Sequence, residues 1–327
     1  MEFRPIERAP DAFQQSVTAG QIQAMCRRAF GAGVRVGSAT ELGLGAYNST
    51  YRVELAGHRP VILRVAPEPG RQFRIEHALM RNEHATVPFL AGLAELLPGT
   101  LAVDFTHQVI GRDYLVQTLL DGVPAPDGLS RYPRPAWASF FGQLGGIARA
   151  VHDVTGDRFG MVAGPGYDTW SQALIGYFED AAADLQDAGL DAGDARRLAE
   201  AAARHRDVLD EISRPRLLHG DLWTVNLLID ADAPEPRITG VVDCDRGWWG
   251  DPLADWTIHR ARQRHGAEHR AFFDSYGPLP DGPHDRLRAA FYLARHLLAI
   301  LLERFRLGER ELTDTYADVR AVLVELA

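Results

Sequence analysis

The chain has 327 residues, 46% hydrophobic and 24% charged, with a formal net charge of −9; this is the profile of a globular protein with room for two modest domains. The longest aliphatic run near the C-terminus, residues 297–302, is too short to span a membrane, the first residues lack a signal-peptide core, and only Cys26 and Cys244 occur, so a cytoplasmic protein without disulfide framework or cysteine zinc site is expected. Every basic side chain is one of 35 arginines, which excludes Schiff-base and Walker-type lysine chemistry, and an acidic chain without a basic stripe excludes nucleic-acid binding.

In chain order, a helix is expected over residues 18–30. Residues 41–55 read as strand, Gly-rich turn, strand. Ala56-Gly57-His58-Arg59 is a hairpin turn, and residues 60–66 form a third strand rich in β-branched side chains. Residues 74–82 look helical, and strands follow at 100–105 and 114–118. The breaker-rich stretch 121–128 is the best boundary; it separates a domain of residues 1–119 from one of residues 120–327. Beyond it the pattern turns helical. Trp137, Phe140, Phe141, Leu144, Ile147, Ala148 and Val151 recur at the spacing of one helix face. Asp168 or Thr169 caps a helix running to about 187. Residues 194–212 read as a polar-faced helix and 285–305 as an apolar one.

The chemistry sits between those helices. An apolar run, Leu217-Leu218, delivers His219-Gly220-Asp221, with Asn226 five residues after Asp221; a second run, Gly240-Val241-Val242, ends in Asp243, 22 positions after Asp221. Base, amide ligand and carboxylate ligand in this order are what phosphoryl transfer from Mg-ATP requires. Asp221 would accept or orient the acceptor's hydroxyl proton. Asn226 offers an uncharged oxygen to a second Mg2+, and Asp243 is the main Mg2+ ligand. Asp245 either supports that ligand or touches the metal itself. His219 braces the loop rather than acting as the base. Asp251 and Asp255 cap or anchor the next helix. Trp223, Trp248 and Trp249 pack the lobe, unless one faces the acceptor.

The match H-G-D-x-x-x-x-N, followed by Asp243 and Gly250-Asp251-Pro252, resembles the aminoglycoside phosphotransferase and choline kinase branch of the protein-kinase-like fold, with motifs in the family's order from Gly43 to Asp255. The resemblance implies a bilobal α+β fold: a small antiparallel-sheet nucleotide lobe, residues 1–119, and a mainly helical catalytic and acceptor lobe, residues 120–327. It implies ATP, or GTP, as phosphate donor with Mg2+. Gly43, Gly45, Asn48 and Ser49 would form the turn whose backbone N–H groups approach the phosphates. Arg64 sits where a protein kinase places its phosphate-pairing lysine; relatives often carry Arg in this L-R-V context, and its guanidinium forks onto phosphate oxygens. Glu76 is its expected partner, with Glu83 the alternative. Gln117, Thr118 and Leu119 fall where backbone groups would meet adenine. The run Cys244 to Trp249 departs from the family's pattern.

The expected function is transfer of phosphate to a hydroxyl of a small molecule. The alternatives are a kinase of peptide Ser or Thr residues and a non-catalytic, nucleotide-binding scaffold. Residues 1–119 carry 12 arginines and 11 acids, whereas residues 120–327 carry 23 and 33, a balance of −10. That excess is either a solvated surface or a field favouring a neutral or cationic acceptor.

Overall fold

The structure, a computed structural model, describes residues 1–43 and 45–327. Its contacts gather into two units, Met1–Gln72 with Leu97–Leu120, and Phe73–Leu96 with Asp121–Ala327.

The first unit is built on a six-stranded sheet. Its strands are β1 (Glu2–Arg4), β2 (Val36–Leu42), β3 (Ser49–Leu55), β4 (Val61–Val65), β5 (Thr100–Asp104) and β6 (Tyr114–Thr118), in the order β1-β2-β3-β4-β6-β5. Alternation along β3 buries Tyr51, Val53 and Leu55, against which Ile22, Met25 and Cys26 of α1 (Ala19–Phe30) pack. Thr18 starts α1 with a reciprocal capping box: its hydroxyl accepts from the Gln21 amide and the Gln21 side chain returns to the Thr18 amide. β1 pairs parallel with β2, an addition that three residues without periodicity could not signal. Buried Glu41 ties the segment after β1, accepting from the Ile6 amide at 2.8 Å and from Arg8 at 2.6 Å.

In the second unit the helix expected over 74–82 is broken. A single 3-10 turn, Arg74–Glu76, is followed by Ala78 in the left-handed region (φ 56°), and only then by α2 (Leu79–Thr86). The cause is tertiary. Asp184 accepts from the backbone amides of Arg74 at 2.9 Å and Ile75 at 3.2 Å, satisfying the free N–H groups of the short turn. Asp184 lies on α5 (Trp170–Asp187), whose cap is Thr169. Between α2 and α5 come β7 (Val123–Pro124), α3 (Ala125–Leu129), α4 (Trp137–His152) and β8 (Gly160–Met161). The helix expected over 194–212 is interrupted at His205, which separates α6 (Gly193–Arg204) from α7 (Arg206–Leu209). The His205 ring packs at 6.0 Å from Phe291 and reaches the Leu326 carbonyl at 3.3 Å, so tertiary contacts override the local pattern.

Two small sheets carry the motif residues: β9 (Arg216–Leu218) with β12 (Trp248–Gly250) and β8, and β10 (Leu227–Asp230) with β11 (Arg237–Val241) and β7. The remaining helices are α8 (Trp256–Arg262), α9 (Gly266–Tyr276), α10 (Pro283–Arg306) and α11 (Thr313–Glu325). Among the described residues, no helix is long and apolar enough to cross a membrane.

Helices α4 and α9 touch through Gly145, where a Cβ would collide with the Phe272 carbonyl oxygen. A backbone obstacle cannot swing aside as a side chain can. The usual helix-propensity gain of Gly→Ala, about 1 kcal/mol, is therefore outweighed. Gly145→Ala should cost about 1–3 kcal/mol in urea unfolding; an unchanged midpoint would mean that the two helices part without loss.

Candidate functional site

The His219-Gly220-Asp221 turn leaves β9 at Leu218, whose register partner is Trp248 of β12. Gly220 has φ +80°, and a Cβ there would collide with the Arg246 carbonyl oxygen, so both conformation and space demand glycine. Asp255 pins the turn. Its Oδ2 accepts the His219 amide at 2.8 Å and pairs with His152 Nε2 at 3.0 Å, while its Oδ1 caps α8 at the Thr257 amide, 3.2 Å away. Burial alone would raise the Asp255 pKa, but the hydrogen bond and charge of His152 hold it well below the usual carboxylate range. Asp255 thus caps its helix and also braces the His219-Gly220-Asp221 turn. The His219 ring is buried with both nitrogens lacking a hydrogen-bond partner, and burial lowers its pKa. The contact from His219 to Asp255 runs through its backbone N–H.

Asn226 donates its Nδ2 to both the carbonyl and the Oδ2 of Asp221, each at 2.8 Å. The amide nitrogen is thereby committed, which leaves Oδ1 as the atom Asn226 can offer a cation. The hairpin β10–β11 pairs Leu227 with Val241, and the Val242 amide donates to the Asn226 carbonyl at 3.0 Å, so Asn226 and Asp243 emerge at one end. Asp243 is one of three non-glycine residues with positive φ (64°) among those described, a conformation that surrounding structure must enforce. Burial pushes the Asp221 pKa up to about 7; the charge of Arg246 opposes the rise and that of Asp243 adds to it.

Helix α2 supplies two further groups that sequence reasoning left without these roles. Fully buried Asn82 donates to the carbonyls of Asp245 (2.7 Å) and Gly247 (2.9 Å) and accepts the Ala163 amide (2.8 Å), clamping the loop after Asp243. Glu83, Asp243 and Asp245 present carboxylate oxygens within 4.8 Å of one another. Glu76 holds Arg246 at 2.7 Å and also binds Arg306, contacts beyond the partnership with Arg64 expected of it. A spacing rule along one helix misses such partners because they arrive from 170 and 230 residues away.

In the first unit, Gly43, Gly45 and Asn48 lie between β2 and β3, and Ser49 opens β3. Gln14 donates to the carbonyls of Gly45 at 3.0 Å and Asn48 at 2.9 Å, and the buried Asn48 Oδ1 lacks a hydrogen-bond partner. Arg64 is buried on β4, in register with Thr50 and Leu115. Gln117 is buried on β6 opposite Ile62, and Thr118 ends that strand; Leu119 follows it, exposed.

Within the second unit a cavity of about 380 Å3 opens beside Asp221. Trp223, Trp248, Trp256 and Tyr177 line it, together with Arg295, Ala299 and Glu303, which recur every four residues on α10. Its charged groups balance: Asp221, Glu303 and Glu309 against Arg246, Arg295 and Arg304. Burial, aided by the Arg295 charge, holds the His296 pKa down at about 3, so that ring is neutral. The acidic excess of residues 120–327 is therefore not carried into this pocket. Trp249 instead packs edge-on against Phe89, 4.9 Å away.

The sequence pattern of the phosphotransferase enzyme family (APH) matches residues 38–309. Solved structures share the fold. A candidate aminoglycoside phosphotransferase from Ralstonia eutropha JMP134 is 17% identical with a TM-score of 0.62, over 94% of this chain and 96% of its own. A candidate fructosamine-3-kinase from Haemophilus somnus 129PT is 16% identical with a TM-score of 0.63, over 93% and 96%. A thermostable mutant of aminoglycoside phosphotransferase APH(4)-Ia, in ternary complex with ADP and hygromycin B, is 18% identical with a TM-score of 0.59, over 94% and 97%. No curated protein sequence matches. The likenesses establish the α+β, protein-kinase-like fold expected from the motifs. With its family pattern spanning residues 38–309, the chain belongs to the phosphotransferase enzyme family.

Proposed function

We propose that the protein is a small-molecule kinase that moves the γ-phosphate of ATP, or GTP, to a hydroxyl of its acceptor. The observation that carries this reading is Asp221, raised toward neutral pKa and hydrogen-bonded to Asn226, beside a cavity of about 380 Å3. A cavity of that size suits a small molecule better than a folded protein surface. A relative crystallised with ADP and hygromycin B supports a nucleotide donor and a small acceptor. Retention of Asp221, Asn226 and Asp243 argues against a non-catalytic scaffold. A nucleoside triphosphate donor fits a cytoplasmic enzyme.

In the reaction, the acceptor's hydroxyl oxygen bonds to the γ-phosphorus and the bond from that phosphorus to the bridging oxygen breaks. The hydroxyl proton passes to Asp221, and nucleoside diphosphate leaves. Asn226 fixes the Asp221 carboxylate through Nδ2. The donor set fits Mg2+, which takes oxygen ligands and few carboxylates: Asp243 and Asn226 Oδ1 would hold it, with Asp245 and Glu83 alongside. When bound, the ion neutralises phosphate charge. Residues 1–119 would serve the nucleotide, through the backbone of Gly43, Gly45, Asn48 and Ser49, the Arg64 guanidinium and the backbone from Gln117 to Leu119. Residues 120–327 would serve the acceptor.

The test is a panel of hydroxylated acceptors with ATP and GTP, read by nucleoside-diphosphate release and product mass. Failure of every acceptor to stimulate release would remove the reading. With no lysine in the chain, Arg64→Ala should raise the KM for nucleotide and lower kcat together, each by roughly tenfold or more, because phosphate contacts strengthen as charge redistributes. A change in neither would take Arg64 out of the site.

A further inference from the structure

Among the described residues, Arg295 lines the pocket beside Asp221 without making an ion pair. Arg295 projects from α10 with its guanidinium 4.3 Å from the Trp248 ring centre and 4.9 Å from that of Tyr177. Among the described residues that side chain forms no hydrogen bond and no ion pair, and its Nε is buried without a partner. The other arginines of the pocket are engaged, Arg246 by Glu76 at 2.7 Å and Arg304 by Glu309 at 2.7 Å and Asp314 at 2.8 Å. Burial works against the charge on Arg295. Its aromatic neighbours offset part of that cost, but ring faces do not fill the donor sites of a guanidinium. A half-buried cation with open donors beside Asp221 is an anchor for an anionic ligand group.

Resting on the kinase reading, we propose that this cavity is the acceptor site and selects hydroxylated small molecules that carry a carboxylate, seated on Arg295, with a flat apolar frame against Trp248 and Trp256. The guanidinium fork matches a carboxylate in two parallel hydrogen bonds, and the indoles supply the apolar wall. The preference for neutral or cationic acceptors read from the −10 balance gives way here to the pocket's own groups. Charges on the solvated surface are screened within about 8 Å at physiological salt, whereas Arg295 would meet the ligand directly.

The experiment titrates the full chain, without nucleotide, with para-hydroxymethylbenzoate, its primary amide and para-hydroxymethylbenzylamine. Binding is read by calorimetry and by quenching of tryptophan fluorescence. The carboxylate should bind at least about tenfold tighter than either analogue, the scale of a charge-assisted hydrogen bond. Arg295→Gln should abolish the preference and Arg295→Lys should keep part of it. If the Gln variant does not fold, the wild-type ranking and the Lys variant decide. Equal affinities, a tighter amine, no carboxylate binding at millimolar concentration, or a preference that survives in Arg295→Gln would overturn the proposal. Phosphoryl transfer is scored separately with Mg-ATP. Carboxylate selectivity through Arg295 without transfer to any acceptor removes the kinase reading and leaves the pocket assignment standing. Transfer to amine-bearing acceptors, indifferent to Arg295→Gln, does the reverse.

Discussion

Asp221→Asn should lower turnover by roughly 10²–10⁴-fold, the scale of losing a positioned base, while leaving nucleotide affinity near normal. Asn can still accept from Asn226 Nδ2, so the turn keeps its shape, but it cannot take the acceptor's proton. The same substitution should change stability in a direction that a merely structural residue would not show. Asp221 is raised by burial to about 7 from its ordinary 3.8. Between about pH 4 and 7 the native state therefore holds a proton that the unfolded chain has released. Stability falls as pH rises through that window, and the full penalty persists above it. Asn carries no such penalty. Without added metal, Asp221→Asn should be more stable than the parent above pH 7, by an amount on the order of a few kcal/mol at most, and lack the downward slope between pH 4 and 7. Near-normal turnover on the true acceptor, or parallel stability profiles for the two proteins, would take Asp221 out of the role.

How much of this was legible in the sequence depended on how local each cause was. The helix at Ala19–Phe30 and its Thr18–Gln21 box are written in neighbouring residues, and so are strands β2 to β6 and the H-G-D turn. The break at Ala78 was not, because its cause is Asp184, more than a hundred residues away. The motif residues were visible because phosphoryl transfer needs particular side chains at particular spacings. Their supports were invisible because those need only a shape. Asn82 looks like any polar helix residue until it meets the carbonyls of Asp245 and Gly247, and Asp255 reads as a cap although it also holds the His219 amide. Arg295 left a faint trace, a charge within an otherwise apolar stretch of α10. Only the structure reveals that, among the described residues, its side chain forms no ion pair.

The other large effect should come from Asp243. Its left-handed backbone (φ 64°) matters to the choice of variant. Alanine removes the carboxylate and is also poorly suited to that conformation, whereas asparagine tolerates it. Asp243→Asn therefore isolates the charge, and Asp243→Ala adds the strain. If Asp243 is the principal oxygen ligand, Mg2+ should tighten ATP binding in the parent, and that gain should shrink by about 10²-fold or more in Asp243→Ala, because a hard divalent cation relies on its few carboxylates. Asp243→Asn should fall between, keeping one oxygen but no charge. ATP binding without metal should change little in either variant, since the phosphate contacts proposed for Arg64, Gly43, Gly45, Asn48 and Ser49 remain. Calorimetry with and without Mg2+ reads both quantities. Glu83 and Asp245 offer oxygens within the same 4.8 Å cluster. A full Mg2+ dependence that survives in Asp243→Ala would therefore move the principal ligand to one of those neighbours. Loss of metal-free ATP binding in Asp243→Asn would mean that the residue holds the fold of the loop rather than the ion.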